Sequence, residues 1–415
     1  MGILHTDQPL GTRQSPHPFV FAVLIVPFGA FGGFVSVALA FLATQRGLTV
    51  GQGAELIAIG MLPQVWKFFW APVADTTLSR HRWYLISSTC CAAGTFAVAT
   101  IPLGLPTLRL IQALVLATSV ATTFLGFSVE AMMAHLTPEP DRGRVSGWFQ
   151  AGNLGGSGIG GGLGLWLLTK LPAGWEAGLI VAVVMLGCAA VLPLLPDVAA
   201  EARDTSIGGA VRRVGSELWA VIRSRDGVLA AVLCFVPVGT GAAAGVLAQS
   251  SVAAHWGAGS GVVEWVQGFL SGIVSMVGCI AGGYGCARLG ARTSYAVFGG
   301  IMAAVTAAMA FLPPTPLVYV AGNLAYAFVT GLSYAAFTGF VLDAIGAGVA
   351  ATKYNGFASL SNTPIWYMGL FLAAVQTSLG PRDMLLGESA CGVLGILIFA
   401  SVARAWKSRP AAAIG

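Results

Sequence analysis

The chain has 415 residues, 56% of them hydrophobic and only 9% charged, with a formal net charge of +5. Soluble globular proteins carry about 25% charged residues, so this chain cannot clothe itself in a wetted surface, and its small basic clusters are too scattered for a nucleic-acid face. Repeated apolar runs, each long enough for a hydrocarbon core about 30 Å thick, make it a polytopic membrane protein whose partners include the lipid bilayer.

In chain order, residues 1–17 read as a polar tail with no small-residue cleavage site before the first apolar run, so no cleaved signal peptide is expected. Twelve spans follow, near 18–43, 53–74, 83–103, 108–134, 146–169, 175–195, 228–252, 262–286, 293–312, 316–341, 356–379 and 384–404. Of the 21 Lys and Arg residues, Arg46, Arg109, Lys170 and Arg382 fall on one side, Lys67 falls inside a span, and the other sixteen fall on the opposite side. The positive-inside rule makes the arginine-rich side cytoplasmic, with both termini on it, and the expected location is a bacterial inner membrane. The seven cysteines lie in or at the ends of spans without metal-ligand spacing, so neither a disulfide frame nor a metal site is expected. The five histidines are dispersed and form no Ser-His-Asp set, so neither a cofactor nor a catalytic residue is assigned and no enzyme is expected.

The long polar stretch 196–227 divides the spans six to six, giving an N-terminal bundle (18–195), a cytoplasmic linker, a C-terminal bundle (228–404) and a short tail (405–415). Shifting the second half back by about 210 residues lays VPVG (236–239) over VPFG (26–29), Glu264 over Glu55, Arg292 over Arg82 and Pro316 over Pro106. A near-constant offset through five spans is an internal repeat, which implies an all-α membrane fold of two pseudo-symmetric six-helix bundles with a binding site near mid-membrane between them.

Asp75, Arg80 and Arg82 follow the second span, while Glu130, Arg142 and Arg144 flank the fourth and fifth. Arg288, Arg292, Asp343 and Lys353 repeat the pattern in the second half. Ion pairs among them would latch the cytoplasmic ends together; the plainer reading is orienting arginines with incidental counterions, each worth little when solvated. Glu130 is read as a gate, with proton carriage as a second role, since an intramembrane carboxylate marks a proton or ion path. Lys67 lies eight residues before Asp75, about 12 Å inside the cytoplasmic end. Snorkelling is its plain reading; a cavity role, meeting a substrate carboxylate or pairing with Glu130, is the other.

The run GNLGGSGIGGGLG (152–164) follows no strand, so it is a helix-packing ladder (Gly152, Gly156, Gly160, Gly164) and not a dinucleotide fingerprint. Gly268, Gly272 and Gly282 suggest the opposing face.

The order of six-span halves, together with Asp75 followed by Arg80, His81 and Arg82 between spans 2 and 3, resembles the major facilitator superfamily. LPQVWKFFWAPVAD (62–75), VEAMMAHL with DRGRVSG (129–147) and the glycine-rich fifth span resemble its AmpG-type permeases, a group related to muropeptide, acetyl-CoA and small siderophore permeases. The chain departs from that group at Leu125 and Gly126, where an extra acid is common, and at Asn153, where an Arg is common. In this superfamily spans 1, 4, 7 and 10 line the cavity. The resemblance therefore implies a substrate surface of Phe28, Phe31, Phe34, Gln112, Gln249, Asn323, Tyr326 and Tyr334, with Lys67, Asn153, Asn362, Trp366 and Tyr367 nearby.

The function implied is a monomeric secondary transporter that imports a small amphipathic solute, such as a cell-wall fragment or siderophore, with protons. An exporter and a non-transporting assembly factor of the same fold are the alternatives.

Overall fold

The computed structural model describes residues 16–48, 50–67, 70, 73, 74, 77–199, 209, 212, 215, 216, 219, 220, 223, 232, 235–345 and 350–407. Asp75 lies outside them, as do the side chains of Asp343 and Lys353.

The described residues are all helix and turn. Helix α1 runs Phe19–Gly33 and continues through a π turn, Phe34–Leu39, into Ala40–Gln45. Helices α2 (Val50–Trp66), α3 (Arg80–Thr100) and α4 (Leu108–Leu136) follow. Helix α5 comprises Arg142–Gly158, a π turn at Ile159–Leu163 and Gly164–Lys170. Helix α6, Gly174–Gly187, tightens into a 3-10 end at Cys188–Leu194. In the second half α7 is Ala243–Leu247, and α8 runs Ser260–Val263, a π turn at Glu264–Leu270, then Ser271–Leu289. Helices α9 (Ala291–Phe311), α10 (Pro316–Ile345), α11 (Ala350–Leu379) and α12 (Pro381–Lys407) complete the fold.

Local chemistry sets the boundaries. Pro138 holds Thr137 extended (ψ 115°) and so ends α4. Gly290, at φ +78°, makes the corner between α8 and α9 that a side chain would strain. At the start of α3 the Asp197 carboxylate, arriving from the end of the first bundle, accepts the His81 backbone N–H at 3.1 Å, an anion at a helix N-terminus. The surface is apolar where lipid must lie: Leu179, Val183 and Leu186 on α6 and Val393, Leu394 and Leu397 on α12 are exposed. Such a surface is tolerable only in hydrocarbon. Among the described residues, seven helices are long and apolar enough to cross a membrane on composition alone; α5 is not among them, because glycine adds little hydropathy.

The seventh span differs from a continuous helix. Residues 236–242 are unwound before α7 begins, with Gly239 (φ +61°) and Gly241 (φ +71°) left-handed and Pro237 lacking an N–H to donate. Most of residues 228–234 lie outside the described set.

Glycine also decides how the bundles touch. A Cβ added to Gly152, Gly156 or Gly160 would meet the backbone of Ala22, Val26 or Ala30 on α1, so two four-residue periods interlock inside the first bundle. Gly164 packs on Phe34 in the same seam. The ladder thus faces α1 and not the second bundle. A neighbouring stripe on α5 meets α8: Gly147 lies on Gly283, Gly158 on Gly272 and Gly162 on Gly268. Gly282, expected in that seam, packs instead on Leu332 and Ala335 of α10.

A β-carbon at Gly160 would stand 1.7 Å from the Ala30 carbonyl oxygen, whereas one at Gly187 meets nothing within 4 Å. Gly160→Ala is therefore expected to cost about 1–3 kcal/mol by overpacking. Thermal unfolding of the purified protein in detergent should show a clear loss for Gly160→Ala and none for Gly187→Ala; equal midpoints would refute the seam.

Candidate functional site

The central cavity is built from the end of α2 upward. On α4, Ser119, Thr122, Thr123 and Glu130 recur at helical spacing and face α2 and the segment after it. The Ser119 hydroxyl donates to the Gly60 carbonyl, the Gln64 amide to Thr122 Oγ1 at 3.2 Å, and Trp70 Nε1 to Thr123 Oγ1 at 2.8 Å. These contacts bring Lys67 Nζ to 3.4 Å from Glu130 Oε1, with the two side chains only 5% and 6% exposed. Burying either charge alone would be prohibitive, and the pair is what makes both tolerable. Lys67 therefore points inward to Glu130 and does not snorkel to the boundary. Glu130 lies in the cavity wall.

The cavity encloses about 240 Å³ between the bundles. Phe28, Gln64, Lys67, Glu130 and Asn153 line it from the first half, and Thr240, Ser333, Tyr334 and Asn362 from the second. A second cavity of about 210 Å³ shares Phe28, Gln64 and Asn153 with it and is walled by Phe31 and Ser157. Apolar walls with a few converging polar groups are the usual form of a small-molecule site.

Hydrogen bonds close the floor between the halves. Ser146 donates to the Ala335 carbonyl at 3.0 Å, Gln150 to Thr338 Oγ1 at 2.7 Å, and Asn362 to the Gln64 carbonyl at 3.3 Å. Asn153 donates to Gln150 at 3.0 Å and extends that network to the cavity. Ser146 lies one turn from Arg142, so this closure is on the arginine-rich face.

In the second half, tyrosines hold the unwound segment. Tyr367, Tyr295 and Tyr334 donate to the carbonyls of Phe235 (2.7 Å), Val238 (2.7 Å) and Thr240 (3.4 Å). Tyr319 donates to Leu247 O at 2.8 Å, and Tyr326 accepts from the Ala243 N–H at 3.1 Å. Backbone groups freed from a helix inside a membrane need partners, and the phenols supply them.

The structure places the other expected residues as follows. Gln112 is buried against Glu55 (3.0 Å) and Arg109, and Asn323 against Gln267 (2.5 Å); neither lines the cavity. Phe34 is buried in the α1–α5 seam, Gln249 is exposed, and Trp366 is 62% exposed. Tyr326 is buried against Glu388 of α12. Arg80 is buried and donates to the Ala74 carbonyl, while Arg82 and Arg288 are exposed. Arg144 pairs with Asp141 at 3.7 Å within its own turn; Arg142, beside it, is half-buried. The Arg292 guanidinium sits 5.6 Å over the Phe340 ring. Gln64, Gln150, Thr240 and Ser333 were not expected in the cavity. A Gln in the LPQVWK run, one turn before an intramembrane lysine, was the available signal for Gln64.

A family model described as Major Facilitator Superfamily matches residues 19–374. Among solved structures, the human organic anion transporter MFSD10 (TETRAN) aligns with a TM-score of 0.67 at 17% identity, covering 92% of this chain and 98% of that one. FucP, a Major Facilitator Superfamily transporter in the outward conformation, gives 0.67 at 16%, covering 93% and 98%. A bacterial homologue of the iron transporter ferroportin in the outward-facing state gives 0.60 at 16%, covering 94% and 99%. No curated protein matches the sequence.

Removing one member of a buried pair strands the other, at a cost of about 3–5 kcal/mol, whereas removing both can be nearly neutral. Lys67→Met and Glu130→Gln are each expected to destabilise the protein, and the double variant to recover most of the loss. A double-mutant cycle on unfolding midpoints checks this; simple additivity would contradict the pairing.

Proposed function

The chain belongs to the major facilitator superfamily and is, in general class, a secondary transporter and not an enzyme; we propose that it moves a small amphipathic solute by alternating access, with protons, in the import direction. The observation that carries this is the buried Lys67–Glu130 pair in the wall of a cavity shared by both halves. An ionisable pair deep in a membrane protein is costly and marks a substrate or proton path. A proton delivered to Glu130 cancels its hold on Lys67. The freed ammonium then meets an acidic or hydrogen-bond-accepting group on the solute. Phe28, Phe149 and Tyr334 cover its apolar part, and Gln150, Asn153 and Asn362 orient it.

Alternating access follows from the seams. The α5–α8 contact places glycine on glycine at three points, so the halves can rock on a smooth surface, and the closing bonds on the arginine-rich face include those of Ser146 and Gln150. That face is the cytoplasmic one by its charge. Arg80, Arg82, Arg142, Arg144, Arg288 and Arg292, with Asp75, Asp343 and Lys353, are proposed to time its opening. The K-F-x-W-A-P-x-x-D run supports an AmpG-type relationship, and with it a cell-wall fragment or siderophore as solute.

A thermal-shift screen of muropeptides, siderophores and comparable amphipathic compounds on purified protein should find a ligand that stabilises the wild type; saturation at about 100 times Kd gives ~2.7 kcal/mol. Lys67→Ala is expected to abolish that stabilisation. In proteoliposomes the same compound should accumulate under a proton gradient and cease to on adding a protonophore. A hit that stabilises Lys67→Ala equally, or that accumulates without the gradient, would sink the respective half of the proposal.

A further inference from the structure

Past its first turn, α12 contains one acid, Glu388, in the run LLGESACG. It lies about 10 Å inside the helix start, at 1.5 Å per residue, on the side away from the arginine-rich face. The residue is 5% exposed. Its Oε1 accepts the Tyr326 hydroxyl at 2.5 Å, and its Oε2 has no hydrogen-bond partner. Among the described residues no cationic side chain pairs with it.

The groups around it are otherwise neutral in kind. Helix α10 contributes Tyr326, with Tyr319 and Tyr334 about two turns to either side; α9 contributes Tyr295, with Arg292 at the arginine-rich end. Helix α11 contributes Tyr367, α12 itself Cys391 one turn on, and the described part of the seventh span from Phe235 to Leu247 no charge at all. Tyr326 already accepts the Ala243 N–H at 3.1 Å, so its single hydrogen is free to go to Glu388. Ala243 is the first residue of α7 after the unwound stretch. Two turns along α10, Tyr334 lines the cavity and holds Thr240 O inside that stretch. Glu388 is thus one hydrogen bond from the residue that pins the α7 end of the unwound segment, and α10 also carries a pin within it.

A buried carboxylate with a bare oxygen, no cation and a single phenol donor has too little around it to offset the loss of water from its charge. We propose that Glu388 is a proton-binding site of the second half, separate from the Lys67–Glu130 pair, and that its proton sets whether α7 stays pinned to α10 through Tyr326. With the carboxyl protonated the bridge Glu388–Tyr326–Ala243 is neutral and holds. With the proton gone an unpaired charge sits in the bundle, and the segment 236–247 loosens so that water can reach it. The site stands whether or not Lys67 binds the solute.

Infrared difference spectra of the purified full-length protein in lipid, recorded across a pH titration, test this. The wild type should show a carboxylic C=O band that disappears as pH rises, that Glu388→Gln removes and that Glu130→Gln leaves. Hydrogen–deuterium exchange over 236–247, corrected for the intrinsic pH dependence, should rise several-fold through the same range in the wild type and stay flat in Glu388→Gln. Tyr326→Phe keeps the acid but deletes its donor, so the band should move to higher frequency; this variant decides the matter where Glu388→Gln does not fold. A band unaffected by Glu388→Gln, a band unmoved in Tyr326→Phe, or a pH response of α7 that survives Glu388→Gln would overturn the proposal.

Discussion

The structure depends on how closely backbones approach along α5. This helix lies against α1 on one flank and α8 on the other, and glycine stands at the contact on both. Van der Waals contact and not hydrophobic exclusion drives helices together in lipid, so small residues at the seam do the work that large ones do in a soluble core. With α1 seated on α5, Phe28 and Asn153 border one cavity; with α8 seated on α5, Ser146 and Gln150 reach α10. The cavity and the closure of its floor are both consequences of those two seams.

The same constraint separates two kinds of charge. Arg82 and Arg288, at span ends, are exposed where water and headgroups can solvate them, while Arg80 is buried on the Ala74 carbonyl. Lys67 and Glu130 have no such recourse and hold one another. Ser146 and Gln150 bridge the halves on the arginine-rich face, and the Lys67–Glu130 pair lines the cavity.

Much of this was legible in the residues. Span count, the six-to-six division and the all-helical fold followed from hydropathy and the repeat, because both are properties of whole segments. The four-residue glycine period was visible too, but its partner was not: the stripes at 152, 156 and 160 and at 147, 158 and 162 interleave on one helix, and only the rotation of α5 decides which faces α1. The break before α7, inside the span read as 228–252, was not expected, though PVGTG, with a proline and two glycines in five residues, weakens any helix. Gln112 and Asn323 were misjudged because a polar residue in a span has two ways to be satisfied, by a cavity or by a neighbouring helix. Each has taken the second, meeting Glu55 on α2 and Gln267 on α8.

Gln112 and Asn323 stand 211 residues apart, as do Tyr84 and Tyr295, which donate to Leu24 O on α1 and Val238 O in the unwound segment. The repeat thus preserves the bonds that build a bundle. It does not preserve Lys67 or Glu388. At the same offset Lys67 falls on Gly278, and Glu388 falls back on Ala177. A scaffold duplicated with its bracing intact must be similar in both halves for the halves to pack and rock as equals. An ionisable group serves only where its surroundings differ from those of its counterpart, since two equivalent sites would respond together and favour neither side. Where the repeat fails, at Lys67 in one half and at Glu388 with the broken seventh span in the other, is where a directional device can reside.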